Sequence, residues 1–185
     1  MGIDCRLVKK YNGKTIQRKN SSFWRRWLTR WLITRLRTKS IEMRTYIIQA
    51  LGKIGDATAF PVILNAAKDT NNAIRRFAIS ALADLGDAQS IDALIIALND
   101  SENDIRATAA MSLGLLGDGK AENALIELLK DNDITVRSQA VIALGHLGSG
   151  QALIVLNQMM FTEANEWMRR YISQAILEIE GGFGS

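Results

Sequence analysis

Few side chains in this sequence have the chemistry for catalysis or for binding a metal ion. His146 is the only histidine and Cys5 the only cysteine among the 185 residues. A catalytic zinc site built on histidines takes several of them, and a thiolate cluster takes several cysteines, so neither can be assembled here. Cys5 lies near the start of the chain, far from His146, and no nucleophile-elbow motif is present. The sequence therefore predicts no catalytic residue, no metal site and a helix-surface position for His146.

A glycine element recurs that resembles a phosphate-binding loop at first sight. Leu51-Gly52-Lys53-Ile54-Gly55-Asp56 is followed by related elements at 82–87, 113–118 and 144–149, each 31 residues after the last. A fixed period of about 20–50 residues is typical of stacked repeats. Glycine is the usual residue just past the end of a helix, because it adopts positive φ without steric cost. We therefore interpret these elements as helix ends and not as ligand sites.

Charged residues repeat with the same period. Arg44, Arg75, Arg106 and Arg137 are 31 residues apart, and Arg169 follows after one inserted residue. Six residues before four of these arginines stand acidic residues, namely Asp69, Asp100, Asp131 and Glu163. Pairs of this kind can bond along and between repeats and so fix the register of stacking. We interpret the series as structural and do not count it as a site.

Each period contains two helical segments, which we call the A helix and the B helix. The only proline, Pro61, falls in the first turn of an A helix, where its missing N–H is tolerated. The predicted A helices are 22–37, 58–67, 88–98, 120–130 and 150–160, and the predicted B helices are 41–54, 72–85, 102–116, 133–147 and 165–179. The predicted fold class is all-α, a right-handed α–α solenoid of about five helix pairs over 22–180, with a tail at 181–185 too rich in glycine to continue a helix.

The repeat is clearest from Ala121 to Gly148, which begins AENALIELLKD, continues through Val136-Arg137 and ends at Leu147-Gly148. This unit resembles the short HEAT repeats of the phycobilisome-lyase-like class, well over residues 40–180 and weakly over 24–39. The resemblance implies a HEAT-repeat solenoid. It leaves the function open, because such repeats occur in bilin lyases and their chaperones, in assembly factors and in general scaffolds.

The B helices of such a solenoid line its concave face, so their outward positions form a groove. Counted from the periodic arginine, offsets +3, +6, +7 and +10 hold small or aliphatic core residues, whereas offsets +1, +2, +5 and +9 vary. The residues expected to face the groove are Thr45, Tyr46, Gln49, Lys53, Arg76, Phe77, Ser80, Asp84, Ala107, Thr108, Met111, Leu115, Ser138, Gln139, Ile142, His146, Arg170, Tyr171, Gln174 and Glu178. Their centre is apolar and their ends are polar, which suits a protein or peptide partner.

The first 44 residues differ in charge from the rest of the chain. They hold thirteen Lys or Arg residues against two acidic ones, a net charge of +11, whereas residues 45–185 carry −7. Residues 1–21 are expected to be a basic arm, either disordered or folded as a β-hairpin about Asn12-Gly13. A Trp-rich helix follows, capped by Ser21 or Ser22. Its candidate contact residues are Trp24, Arg25, Arg26, Trp27, Arg30 and Trp31.

Three roles fit the Trp-rich helix. It could cap the apolar end of the solenoid, dock into a partner, or lie on an anionic membrane with its aromatic stripe. No run of about 18 apolar residues occurs, so no membrane span is expected. The single cysteine suggests a reducing compartment, and we expect a cytoplasmic location, either free or peripheral to a membrane.

The sequence therefore favours a non-catalytic scaffold or assembly factor that holds a partner protein in its groove and uses the basic Trp-rich N-terminus as a second contact. The partner is expected to carry an acidic patch, a heterodimer is possible, and no cofactor is expected. The resemblance implies an alternative, a phycobilin lyase subunit or lyase-like chaperone with an open-chain tetrapyrrole bilin as its ligand. A further alternative is an adaptor that binds a membrane or nucleic acid through the basic N-terminus. Nucleic acid is disfavoured in the groove, where Lys53, Arg76 and Arg170 stand beside Asp84 and Glu178.

Overall fold

The computed structural model describes residues 20–86 and 88–182, and every regular element within them is helical. The α-helices of these residues are α1 Asn20–Arg35, α2 Ile41–Ile54, α3 Phe60–Ala66, α4 Asn72–Leu85, α5 Ala88–Ala97, α6 Asn103–Leu116, α7 Glu122–Leu128, α8 Ile134–Leu147, α9 Gly150–Thr162 and α10 Glu166–Gly182. They pair in order as five A–B units, which confirms the predicted all-α solenoid. Short 3-10 turns at Ala57–Ala59 and Gly119–Ala121 lead into α3 and α7. The hairpin predicted about Asn12-Gly13 lies outside the described residues.

Glycine ends four of the B helices in the left-handed conformation. Gly55, Gly86, Gly117 and Gly148 follow α2, α4, α6 and α8 with φ values of 65°, 64°, 66° and 69°. The N–H of each glycine donates to the carbonyl of the leucine four residues earlier, which satisfies a group that the helix end would leave unpaired. The repeated glycine element is therefore a helix end, as its period predicted.

The B helices pack closely because small residues face each other between them. A Cβ atom added to Gly52 would lie 2.8 Å from the Cα of Ala81, and one added to Gly114 would lie 2.7 Å from the Cα of Ala143. The A helices splay apart, leaving a crevice of about 600 Å³ between α5 and α7. The B helices are therefore the more closely packed layer, as in a solenoid whose B helices line the concave side.

The contact between α4 and α6, which we call the α4–α6 seam, lacks a glycine of this kind. Ala83 of α4 stands where α2, α6 and α8 have glycine, and Ser112 of α6 stands where α4, α8 and α10 have alanine. A Cβ atom at the glycine positions of the other seams would come within 2.7–3.0 Å of neighbouring backbone. Helices α4 and α6 therefore cannot approach each other as closely as the other B helices do.

The last B helix ends differently from the other four. Helix α10 continues to Gly182, beyond the end predicted at residue 179, and so runs through glycines that were expected to stop it. The physical reason is that Glu180 occupies the position where the other B helices have the left-handed glycine. Leu177 replaces the close-contact glycine, and its side chain is 63% exposed. A further B helix could not stack on α10 at the distance found between the glycine-lined pairs.

The first A helix covers the other end of the stack. Helix α1 begins at Asn20, so Ser21 and Ser22 lie inside it and the prediction that one of them caps it is wrong. The helix packs against α2 with one face only. That inner face consists of Thr29, which is fully buried, and the half-buried Leu32 and Ile33, and Leu36 continues it just beyond the helix.

Candidate binding groove and aromatic helix

The periodic arginines link consecutive repeats, as predicted. Arg75 binds both carboxylate oxygens of Asp100 at 2.8 and 2.9 Å, and Arg106 binds those of Asp131 at 2.7 and 2.9 Å. The remaining Nη1 atom of each arginine donates to two carbonyls in the A–B loop of its own repeat. Because both kinds of contact use the whole guanidinium group, these side chains fix the register of the stack and are not available to a ligand.

The arginine–carboxylate links between consecutive repeats end at the fourth repeat. Arg137 donates to the carbonyls of Asp131 and Asn132 in its own loop but, within the described residues, forms no ion pair with Glu163. The expected contact of Glu163 is therefore absent. One inserted residue shifts this carboxylate along the chain, and it keeps only the backbone contact that Asp69, Asp100 and Asp131 also make, accepting the N–H of Asn165 at 2.8 Å.

The residues predicted to face the groove at offsets +2, +5 and +9, together with Arg76 and Arg170, lie on the outer surface of the B helices and are either exposed or half-buried. The apolar centre is well exposed at Met111 (46%) and Leu115 (71%), and Tyr46 is 69% exposed at one end. The other exposed members are Lys53, Arg76, Asp84, His146, Arg170, Tyr171, Gln174 and Glu178. The half-buried members are Gln49, Phe77, Ser80, Thr108, Gln139 and Ile142. The stacked helices thus bring residues from five repeats onto one surface.

The residues at offset +1 were predicted to face the groove, but in the first, third and fourth repeats they are buried or half-buried. Thr45 is buried, with 7% exposure, so its assignment to the groove is wrong, and Ala107 and Ser138 are half-buried. The α-helical rotation of about 100° per residue turns offset +1 toward the next repeat and away from the row at +2. Arg76 and Arg170 escape burial at this position because their long side chains reach solvent over the rings of Phe77 and Trp167.

Sequence reasoning missed the row at offset −2. This row lies four residues before offset +2 and therefore shares its face of the helix. Its most prominent member is Trp167, which is 69% exposed and lies under the guanidinium group of Arg170 at 4.9 Å. Glu42 and Asp104 are exposed members of the same row. The pattern Trp167–Tyr171, spaced i and i+4, was the signal that could have found it.

The charges of this surface are mixed. His146 Nε2 lies 4.0 Å from Glu178 Oε2, and Gln174 donates to the same carboxylate at 3.0 Å. Glu42 and Asp104 add negative charge at one edge, so basic side chains do not dominate the groove as a surface that follows phosphates requires. In the part of the chain that the structure describes, no three His, Cys, Asp or Glu side chains converge to hold a metal ion.

A second apolar surface lies on α1, on the side that faces away from the body. Phe23, Trp24, Trp27 and Trp31 are between 44% and 66% exposed, and the rings of Phe23 and Trp24 and of Trp24 and Trp27 meet edge to face. We call these four residues the aromatic face. Helix α1 covers the end of the solenoid, which was one of its three expected roles, but its inner face makes the contact with α2 and the aromatic face does not. The aromatic face is left for solvent or a partner.

The arginines of α1 divide by role. Arg25 reaches back to the end of α2, where its Nη2 donates to the carbonyls of Ile54 and Gly55, the latter at 3.0 Å. Arg35 lies over the ring of Trp31, with its guanidinium carbon 5.1 Å from the ring centre. Arg30 makes no hydrogen bond or ion pair within the described residues, nor does Arg37, which follows the helix. These last two guanidinium groups are available to a partner.

Comparison with known proteins agrees with this architecture. The sequence matches the HEAT-repeat family over residues 29–107 and 91–177. The fold is similar to that of a chain in the CpcE–CpcF complex of phycocyanin lyase from Nostoc sp. PCC7120, with 21% identity and a TM-score of 0.71 over 93% of this chain and 68% of that one. A designed armadillo repeat protein in complex with the peptide (KR)4 gives 18% identity and a TM-score of 0.64 over 80% of each chain. An engineered protein gives 21% and 0.62, over 83% of this chain and 80% of that one. No curated protein sequence matches the chain.

Proposed function

Because the chain belongs to the HEAT-repeat family, we propose that it is a non-catalytic scaffold or assembly factor that holds a segment of a partner protein in the groove of its B helices. The observation that carries this proposal is the exposed apolar centre of that groove. Met111 and Leu115 lie one turn apart on α6, and both point away from the core. The frame around them repeats with fixed core residues, whereas the groove positions differ from repeat to repeat, as recognition of one particular partner requires.

The chemistry of the groove indicates what its partner must offer. Apolar and aromatic side chains should fill the centre beside Phe77, Met111 and Leu115, because burying apolar area contributes most of the free energy at such sites. Polar groups should meet the ends, where Lys53 and Glu178 can bind them. The designed armadillo protein of similar fold, which is in complex with a peptide, supports a peptide segment as the form of the ligand.

The test compares the proteins captured by the wild-type chain with those captured by Met111→Asp/Leu115→Asp. The matched control is Ile154→Asp/Phe161→Asp, which places two carboxylates on similarly exposed apolar residues of the A helix α9 (62% and 89%). Captured proteins are quantified by mass spectrometry from the native host. We expect the groove variant to lose a partner that the α9 control retains. An unchanged set of captured proteins in the groove variant would show that the groove is not the main binding surface.

A second candidate is a phycobilin lyase subunit or lyase-like chaperone. It is favoured by the similarity to the phycocyanin lyase complex, which extends over 93% of this chain. In this role the groove would hold an open-chain tetrapyrrole together with its acceptor protein, and the chain would be one half of a heterodimer. Mixing the purified chain with phycocyanobilin tests the idea. A shifted and intensified visible absorbance, lost in the groove variant, supports it, and a spectrum equal to that of the free bilin contradicts it.

Helix α1 provides the second contact in the proposed function. Its aromatic face and its free arginines lie outside the groove, so a scaffold could use both surfaces at once. A partner at α1 must accept aromatic side chains and positive charge together.

A further inference from the structure

We propose that the aromatic face of α1 binds an anionic membrane surface, with the helix lying in the plane of the lipid headgroups. This inference rests on the proposed function only in taking α1 as the second contact, and it holds whatever the groove binds. Within the described residues no helix is both long and apolar enough to cross a bilayer.

Helix α1 is oriented with its aromatic face away from the body of the protein. Its inner face, centred on the buried Thr29, holds it against α2, and the aromatic face lies on the opposite side of the same helix. At about 100° per residue, Trp27 and Trp31 point away from the body, with Phe23 and Trp24 to either side of them. The whole aromatic face can therefore enter a flat surface without unfolding the helix or displacing it from the solenoid.

The region around α1 is strongly basic. Residues 20–41 contain six basic residues and no acidic one. Arg26 and Arg30 follow one flank of the aromatic face at i, i+4 spacing, and Arg37 continues that flank beyond the helix. Residues 1–19 add six more basic residues against Asp4, whereas residues 45–185 carry −7. An anionic surface would attract the α1 end of the molecule and repel the remainder, which orients the protein as it approaches.

The residue types favour lipid over protein as the occupant. Tryptophan is enriched at the level of the headgroups because its ring is apolar and its N–H is polar, and long arginine side chains reach the phosphates from the same depth. A protein occupant would need sockets for three indoles and carboxylates placed opposite Arg30 and Arg37. A bilayer surface rich in anionic lipid meets both needs at any position, and the tryptophans and arginines on the exposed side of α1 are residue types found in interfacial helices.

The test is cosedimentation of the full chain with phosphatidylcholine vesicles prepared with and without phosphatidylglycerol. We expect binding only to the anionic vesicles. Trp24→Ser/Trp27→Ser/Trp31→Ser should lower the partition coefficient at least about tenfold, because aromatic area is lost from the interface. Arg26→Gln/Arg30→Gln/Arg37→Gln should lower it by about fivefold for each arginine, and added salt should weaken the wild type in the same direction.

Trp167→Ser is the matched control, because Trp167 is as exposed as the α1 tryptophans but lies on the last helix. It should bind as the wild type does. All substituted side chains are exposed, so circular dichroism should report an unchanged fold. In a chain with Trp167→Phe, the remaining tryptophans all lie on α1, and their emission should shift to shorter wavelength on anionic vesicles.

Three results would overturn the inference. One is a folded wild-type chain that ignores anionic vesicles, and another is a triple Trp variant that binds them as well as the wild type. The third is self-association of the wild type that the triple Trp variant loses, since the occupant would then be a second copy of the chain. The groove variant Met111→Asp/Leu115→Asp should still bind vesicles. A failure of the groove proposal and a failure of the membrane proposal therefore give different results.

Discussion

At the residue scale, the smallest side chains set the distance between the B helices. Gly52, Gly114 and Gly145 each face the backbone of the next B helix at a distance that leaves no room for a Cβ atom. Glycine is unfavourable inside a helix by about 1 kcal/mol relative to alanine. Its presence at these three positions is explained by the close packing that it allows.

Gly114→Ala should lower the free energy of unfolding by about 1–3 kcal/mol, since the new methyl group would overlap the Cα of Ala143 and force α6 and α8 apart. Urea unfolding followed by circular dichroism measures the effect. Gly181→Ala is the control, because Gly181 lies in α10 and has open space around it. It should be neutral or slightly stabilising. If both substitutions had the same effect, close packing would not be the reason for the glycine.

Asp131 makes the stability of the stacked repeats depend on pH. The hydrogen bond from Arg106 lowers the pKa of this carboxylate from its ordinary value of 3.8, and burial opposes the shift without cancelling it. Because the folded-state pKa lies below the unfolded one, the carboxylate stabilises the fold fully above pH 3.8. That stability is lost as the pH falls through the folded-state pKa.

Asp131→Asn should therefore cost about 1.5–3 kcal/mol at neutral pH and flatten the loss of stability in acid. Urea midpoints measured from neutral pH to below pH 3.8 test this. Glu127→Gln is the control, because Glu127 pairs with Lys130 in a bridge whose two side chains are 72% and 74% exposed. That change should cost less than about 1 kcal/mol. An equal cost for both variants would contradict the structural role of the Arg106–Asp131 pair.

At the scale of single elements, α1 is both part of the solenoid and distinct from it. Its inner face packs on α2 as any A helix would, and Arg25 fastens it by donating to the carbonyls at the end of α2. The aromatic face takes no part in this contact. Attachment and exposure therefore use different residues, and they can be separated by mutation.

Arg25→Ala should loosen α1 by about 1 kcal/mol, because the last carbonyls of α2 lose a charged donor. Hydrogen exchange of the α1 backbone amides should become faster, while exchange in α6 and α8 stays unchanged. Arg30→Ala is the control on the same helix, since Arg30 makes no hydrogen bond within the described residues. Equal exchange in α1 of the Arg25 variant and the wild type would contradict the fastening role.

The sequence predicted the helices well because the period fixes them. Gly55 and its equivalents end the B helices where expected, and the predicted boundaries of α2 and α4 agree with the structure residue for residue. The faces of the helices were harder to predict. Thr45 was predicted to face the groove and is buried, whereas Trp167 was not predicted there and is exposed. Offsets +1 and −2 are both variable in sequence, so only the packing of neighbouring helices shows which of them is covered. The outward direction of Trp27 depends in the same way on which side of α1 meets α2.

At the scale of the whole molecule, the stability of the stack comes from contacts between neighbouring repeats. Each B helix packs on the next, and each Arg–Asp pair joins two repeats. In such a one-dimensional structure, an added repeat should contribute its own stability and one more interface, provided the register is kept.

Duplicating residues 103–133 directly after residue 133 adds one full period and one more Arg–Asp link. We expect a higher urea midpoint and more helical circular dichroism than in the wild type. The control carries the same insertion with one extra alanine in its A–B loop, which copies the displacement found at Glu163 and should remove the added link. If the insertion and its control were equally stable, the periodic pairs would not fix the register.

The α4–α6 seam has a mechanical consequence. The glycine-lined contacts join α2 with α4, and α6 with α8 and α10, and we expect the contact between α4 and α6, which carries Ala83 and Ser112, to bend more easily than these. Phe77 lies on one side of this seam, and Met111 and Leu115 lie on the other. A ligand that contacts both sides and fits a different curvature would bend the solenoid as it binds. Part of the binding free energy would then be stored as elastic bending, and the affinity of the groove would respond to any force that straightens the chain.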